Sequence, residues 1–383
     1  MRHSRSLTTL LLAGTTLALA QHESKTVIGG YAEAEYVNPV AGAAKKSHAD
    51  LHRFVLFVSH GFSEQLSFHS ELEVEHVLTE MKVSKDKDGK VTDVSAPGYV
   101  SVEQAFIDYR LAGSFGFRTG VVLAPVGIVN EVHEPDTYHG VHRPLYANSF
   151  VPTTWRDMGL LAYGSPMEGL QLRGGVMAGL LGNSIGGASG LRGGRQKAGK
   201  SNAENLSLTA RAEYALPGVK LGLSGWYGGT SMGDTALGDG NFDAPVTMVA
   251  GDLRAEWNGA FLRGEVGWAL LSEAEKMQKA YKKSPGEQMA GGYIEAGYDL
   301  LPLFLPQTQQ SLTPFARFER IDTHYEVPSN VSLNKANSQS QWVAGLTWKP
   351  VSRVAFKFDY SWLRNEAGTA ERDEVKLGAG CSF

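Results

Sequence analysis

The chain has 383 residues, among them 45 Gly, 15 Pro and a single Cys, with 42% apolar residues and a formal charge of −4. One cysteine excludes a disulfide scaffold, and glycine without a triplet period excludes collagen. Beyond the first twenty residues no run approaches the ~20 apolar residues of a membrane helix, and so weak a charge gives no reason to expect nucleic acid.

Taken in chain order, the sequence opens with a basic stretch (Arg2, His3, Arg5), then the apolar run Leu7 to Leu19, then the small-residue pattern Ala18-Leu19-Ala20. Residues 1–20 read as an export signal peptide cleaved after Ala20, leaving 21–383 as a single mature domain. Losing Arg2 and Arg5 takes the formal charge from −4 to −6.

The mature chain alternates with period two almost to its end. Leu66, Phe68, Leu72 and Val74 alternate with His69, Glu71, Glu73 and Glu75, and Val354, Phe356, Phe358, Tyr360 and Trp362 alternate with Arg353, Lys357, Asp359 and Ser361. A strand that is apolar on one side and charged on the other faces two different media. The segments are longer than the ~5–6 residues of soluble sandwich strands and match the length that crosses a bilayer at a tilt. Sixteen are predicted: 26–37, 51–62, 65–79, 99–112, 115–124, 156–164, 169–179, 205–215, 219–229, 246–257, 260–272, 290–300, 312–325, 338–349, 353–364 and 372–383.

Short connections (Ser63-Glu64, Ala112 to Ser114, Pro217-Gly218, Asn258-Gly259, the Pro350 turn) alternate with long ones at 80–98, 125–155, 180–204, 230–245 and 273–289. An even strand count with short turns at one end and long loops at the other describes an all-β, 16-stranded antiparallel transmembrane barrel in the outer membrane of a Gram-negative bacterium. Closure leaves no edge backbone group unpaired in lipid. The final alternation Val375, Leu377, Ala379, Cys381, Phe383 is similar to the assembly signal of bacterial outer-membrane proteins, and Cys381 on that row reads as a small apolar residue. Trp257, Trp268, Trp342, Trp348, Tyr360 and Trp362 fall on apolar faces, mostly near strand ends, as interfacial girdles require.

With the apolar faces toward lipid, the other faces line the lumen. Arg110, Arg118, Arg173, Arg263 and Arg317 stand there with Glu71, Glu73 and Glu75, many as opposite-sign neighbours two residues apart. Charges in such numbers demand water or counter-charges, and a barrel of sixteen strands is wide enough to leave an aqueous channel. The 125–155 connection is the expected constriction. It is the longest loop, is stiffened by Pro125, Pro135, Pro144 and Pro152, and gathers Glu131, His133, Glu134, Asp136, His139, His142 and Arg143, with Arg156 just beyond.

The segments Gly120 to Gly127, His142-Arg143-Pro144 and Pro152 to Gly159, with Val102 to Tyr109 and Pro314 to Glu319, resemble the phosphate-selective porin O and P family over most of the mature chain. The resemblance implies a sixteen-stranded, usually trimeric barrel that admits small hydrophilic solutes or ions passively, in some members through a Lys and Arg ladder that selects phosphate. Here the predicted lumen is mixed in sign, which departs from such a ladder; Arg118, Arg143 and Arg156 are the candidates for one.

Three motifs are set aside. Gly194 to Ser201 fits G-x-x-x-x-G-K-[ST], but neither a buried strand before it nor a helix after it is predicted. It reads as a basic loop in which Arg192, Arg195, Lys197 and Lys200 attract anions through their field. Asp239 to Asp243 opens like a calcium loop yet lacks the glycine and the closing acid. His139 and His142 beside Glu134 and Asp136 have no ligand spacing, so no metal or other cofactor is assigned. No catalytic constellation stands out and no enzyme is expected. The alternative reading is a barrel with a closed lumen that serves as a scaffold for an enzyme or receptor site.

Overall fold

Period-two alternation settles into sixteen long strands because each can place one row in hydrocarbon and the other inside a cylinder. The computed structural model describes residues 25–42, 46–77, 82–89, 91–95, 98–233 and 242–383. The expected signal peptide and residues 239–241 of the calcium-like loop lie outside these. The first strands are β1 (Lys25–Gly42), β2 (His48–Gly61) and β3 (Leu66–Glu75), followed by a small separate hairpin of β4 (Lys82–Lys85) and β5 (Val91–Ser95). Then come β6 (Tyr99–Ala112), β7 (Phe115–Leu123), β8 (Arg156–Met167), β9 (Leu170–Ala178), β10 (Leu206–Leu216) and β11 (Val219–Gly228). The rest are β12 (Val246–Trp257), β13 (Ala260–Leu271), β14 (Gln288–Tyr298), β15 (Ser311–Glu326), β16 (Ser338–Val351), β17 (Val354–Asn365) and β18 (Glu371–Ser382).

All but β4 and β5 form one closed antiparallel barrel of neighbours in chain order, sealed where β1 meets β18. The seam runs from Tyr31 opposite Ser382 to Gly42 opposite Arg372, and Gly30 and Phe383 exchange backbone hydrogen bonds of 3.0 and 2.9 Å beside it. The terminal aromatic residue thus sits on the closure. Asn258 and Gly259, both with positive φ (49° and 86°), make the two-residue turn between β12 and β13.

The outward row is apolar and bare: Leu208, Leu223, Val266 and Ile294 are 54–66% exposed. Trp257, Tyr298 and Trp348 stand near the short-turn end, and Tyr227, Trp268 and Tyr325 near the long-loop end. The indole N–H groups of Trp268 and Trp348 donate to the side chains of Gln288 (2.9 Å) and Gln310 (3.1 Å), a wet tip on an apolar body. This is the surface of a barrel that sits in an outer membrane. A short helix α1 (Leu145–Ser149) lies in the 124–155 loop, and the 301–311 connection, long for its end of the barrel, holds a second, α2 (Leu301–Phe304). Leu303, Phe304 and Leu305 are exposed on it.

Two expectations need correction. The third strand, expected to reach 79, ends at Glu75, where His76 and Val77 turn away with φ of 55° and 34°. The inward row is also not polar throughout. From β9 to β15 its long-loop half carries Met177, Trp226, Met248, Leu271, Met289 and Ile321, all buried. These pack against the 124–155 loop and against Leu180, Ile185 and Leu191 of the next long loop, forming an apolar core inside the barrel. On β12 the row changes from Val246, Met248 and Ala250 to Asp252 and Arg254, so one strand serves a dry half and a charged half.

Candidate pore and its internal loop

The loop between β7 and β8 lies inside the barrel. Val126, Asn130, Val141 and Tyr146 are essentially without solvent exposure, and groups of the loop bond to lumen-facing side chains around the wall. The backbone N–H groups of Ile128 and Tyr146 donate to Glu265 (3.0 Å) on β13 and Glu319 (2.9 Å) on β15. Val141 N–H donates to Asp359 (2.6 Å) on β17, and the Tyr138 hydroxyl to Glu33 (2.6 Å) on β1. Lys349 and Ser382 donate to the carbonyl (2.6 Å) and carboxylate (2.8 Å) of Asp136. Backbone donors inside a barrel must find acceptors, and here wall carboxylates serve that need. Small wall residues give the loop its seat: on the inward row of β18, Gly378 faces Val141 and Gly380 faces Pro135.

On the dry side, Tyr146 stacks on Phe150 (centroids 5.2 Å apart) and meets Tyr293 (5.9 Å), while Trp155 meets Trp226 (5.4 Å). Gly267 on β13 lies against both Tyr146 and Phe150.

Most of the expected lumen residues are engaged, though not around one eyelet. Glu73 and Glu75 share Arg53 (both 3.2 Å), which also reaches Glu33 (2.9 Å). Glu71 accepts from Gln104 (2.7 Å) and, with Glu103, flanks the Nε2 of His133 at 3.4 and 3.5 Å. Arg156 pairs with Glu103 (3.0 Å), and Arg143 donates to the His133 carbonyl (3.2 Å). Arg317, fully buried, bonds Glu295 (3.0 Å) and Glu319 (2.7 Å) and reaches the carbonyls of His139 (3.3 Å) and His142 (3.4 Å). Arg263 pairs with Glu295 (3.0 Å) and donates to the Thr137 carbonyl (3.2 Å).

Glu134 is buried within the loop, and its Oε2 has no hydrogen-bond partner among the described residues. Arg118 pairs with Asp108 (2.8 Å) between the rings of Phe106 and Tyr163, and Arg173 pairs with Glu131 (2.7 Å); Arg110 is exposed at the short-turn end of β6. Arg118, Arg143 and Arg156 therefore have three different sets of partners and form no shared ladder.

Burial and counter-charge set the two loop histidines apart. For His133, burial and the nearby Arg143 oppose the charge, but Glu103 and Glu71 outweigh them and raise the imidazole to about 10. For His139, burial and the surrounding Arg263, Lys349, Lys357 and Arg317 hold it well below its ordinary value, and its ring stacks on Phe261 (4.3 Å). Glu134 is raised, chiefly by burial. His139 and His142, considered together as possible metal ligands in the sequence, go to different places: His142 turns to Glu35 on β1, 2.8 Å away.

Among the wall residues at the site that escaped the sequence reading are His52, Asp50 and Glu103. His52 and Glu103 are the extra residues of β-bulges, one between β1 and β2 and one between β3 and β6. A bulge shifts the inward row by one position, so counting by twos from Val55 or Phe106 passes them by. The spacing His48-Ala-Asp50-Leu-His52 was the available signal.

No family model matches the chain. Among solved structures it is similar to an OmpF–daunomycin complex of Salmonella typhi (TM-score 0.58, 14% identity, 94% of this chain and 98% of that one). It is also similar to the outer-membrane channel DcaP of Acinetobacter baumannii (0.56, 13%, 95% and 99%) and to an anion-selective porin of Comamonas acidovorans (0.55, 12%, 94% and 100%). These likenesses establish the porin fold. In sequence the chain is 30% identical over 345 residues to an uncharacterized protein of Aquifex aeolicus (strain VF5), covering 87% of this chain and 74% of that protein. The chain belongs to the family of that Aquifex protein, and it has the fold of outer-membrane porins.

Proposed function

We propose that the chain is a porin through which small hydrophilic solutes or ions diffuse passively, with residues 125–155 as its constriction and a homotrimer as its assembly. The observation that carries this reading is accessible charge on both sides of the internal loop. On the long-loop side His48, His76 and His142 are 39–51% exposed, and on the short-turn side Arg118, Arg173, Glu131 and Arg254 keep partial access to water. Hydrated charge on either side of a constriction supplies the two vestibules that an ion path needs. The paired signs favour weak selectivity. Arg110, Arg118, Arg173, Lys220 and Arg254 outnumber Asp108, Glu131, Glu213 and Glu256 in the short-turn half, which favours a modest anion preference, and the separated arginines argue against a phosphate ladder.

The apolar core between the loop and β9–β15 favours the second reading, a closed barrel that carries a site for an enzyme or receptor. Reconstitution into planar bilayers separates the two: stepwise current supports the pore, and none supports the closed barrel.

A further inference from the structure

The long-loop mouth above β1, β2 and β3 collects imidazoles and carboxylates from four segments of chain. His52 Nε2 is 3.6 Å from Glu75 Oε1, and its Nδ1 is 3.4 Å from Glu35 Oε2. His142 Nε2 is 2.8 Å from the same Glu35 oxygen, and His76 Nδ1 is 2.5 Å from Asp50 Oδ2. The rings of His52 and His76 stack at 5.2 Å, and the His76 N–H is tied to the His52 carbonyl at 3.0 Å. The His52 Nδ1 is buried without a hydrogen-bond partner among the described residues.

We infer that this mouth binds a divalent first-row transition-metal ion, with His52, Glu75 and His76 as ligands and Glu35, Asp50 and His142 completing or orienting the set. One donor atom from each of His52, Glu75 and His76 lies within 4.8 Å of the other two. Donors around a tetrahedral ion with bonds of about 2.0–2.1 Å stand roughly 3.4 Å apart, a gap that rotation of the exposed His76 closes. Imidazole with carboxylate suits Zn²⁺, Ni²⁺, Co²⁺ or Cu²⁺ and does not suit Ca²⁺ or Mg²⁺, which take oxygen donors. Local charge points the same way, because three carboxylates face the site while the nearest guanidinium, Arg53, is shared among Glu33, Glu73 and Glu75.

Access also distinguishes this cluster from the other histidine–carboxylate group of the lumen. Glu71, Glu103 and His133 are sealed, with side chains 1–3% exposed, whereas His76 and His142 are open to solvent at 43% and 39%. The bulge at His52 creates the site, since it turns that side chain into the row of His48 and Asp50. The inference goes beyond the pore reading and does not depend on it.

Co²⁺ titrated into the folded protein in detergent, followed by its visible d–d absorption, tests this. The expected result is saturation near one ion per chain and displacement by Zn²⁺, with affinity on the order of tenfold or more weaker in His76→Asn and in His52→Ala. Asn suits the left-handed backbone of residue 76, so that variant keeps the turn. His60→Ala, at the opposite end, serves as the control and binds as the unaltered chain does. Absence of saturable Co²⁺ or Zn²⁺ binding, or equal affinity in His76→Asn, would overturn the inference. Because absorbance reads binding directly, a chain that binds cobalt but passes no current keeps the site and loses only the pore.

Discussion

Arg317 shows what one charge does inside this barrel. It satisfies two buried carboxylates, Glu295 and Glu319, and two loop carbonyls at once, while Glu319 in turn accepts the backbone N–H of Tyr146. Removing one partner of a buried network leaves the others uncompensated, typically at about 3–5 kcal/mol. Arg317→Met should lower barrel stability by that order, read from the midpoint of denaturant unfolding in detergent; a change under ~1 kcal/mol would show that water takes over its role. His133 makes the complementary case through pH. Folding raises it from the ~6.5 of a free imidazole to about 10 against Glu103 and Glu71. The protonated form is thus the one that folding favours, so the stabilisation is complete below the unfolded value and is lost as pH rises through about 10. Between pH 6 and 11 the unaltered chain should lose more stability than His133→Gln, in which the titration is absent; parallel profiles would contradict the assignment.

At the scale of elements, the alternation of outward apolar residues was enough to place all sixteen barrel strands within a few residues of where they lie, because lipid imposes one rule along every strand. What it hid has two physical causes. Bulges at His52 and Glu103 break the count by twos and re-aim the donors that matter most at the mouth and at the His133 anchor. The apolar inner core was hidden because an inward Met248 or Trp226 looks like a lapse in alternation until the loop that covers it is seen. A strand half whose inward row is apolar as well, as Val246, Met248 and Ala250 are on β12, is itself the sign of an internal cover. The 125–155 connection, read from sequence as the candidate constriction, lies inside the barrel, and its ionisable groups are anchors to the wall more than a free ring. The seat of that loop can be tested separately. A side chain at position 380 would collide with Pro135, so Gly380→Val should push the loop off β18 and change the conductance of each open step while the strands still fold; unchanged conductance would mean the loop does not set the constriction.

For the whole molecule, the outer surface states the medium. Leu223 is 59% exposed at mid-strand on β11, opposite Ala212 and Gly251. An arginine near the bilayer midplane costs a barrel about 2–4 kcal/mol, so Leu223→Arg should destabilise folding into lipid vesicles by that amount, and a negligible effect would mean that this wall is covered by protein.

The central claim is that water-borne ions cross this cylinder past its internal loop. Single-channel recording in planar bilayers tests it most directly. The account predicts discrete conductance steps, with Arg118→Ala moving the reversal potential in a salt gradient toward cation preference as a vestibule charge is lost. Silent bilayers, despite verified insertion of the folded barrel, would contradict it.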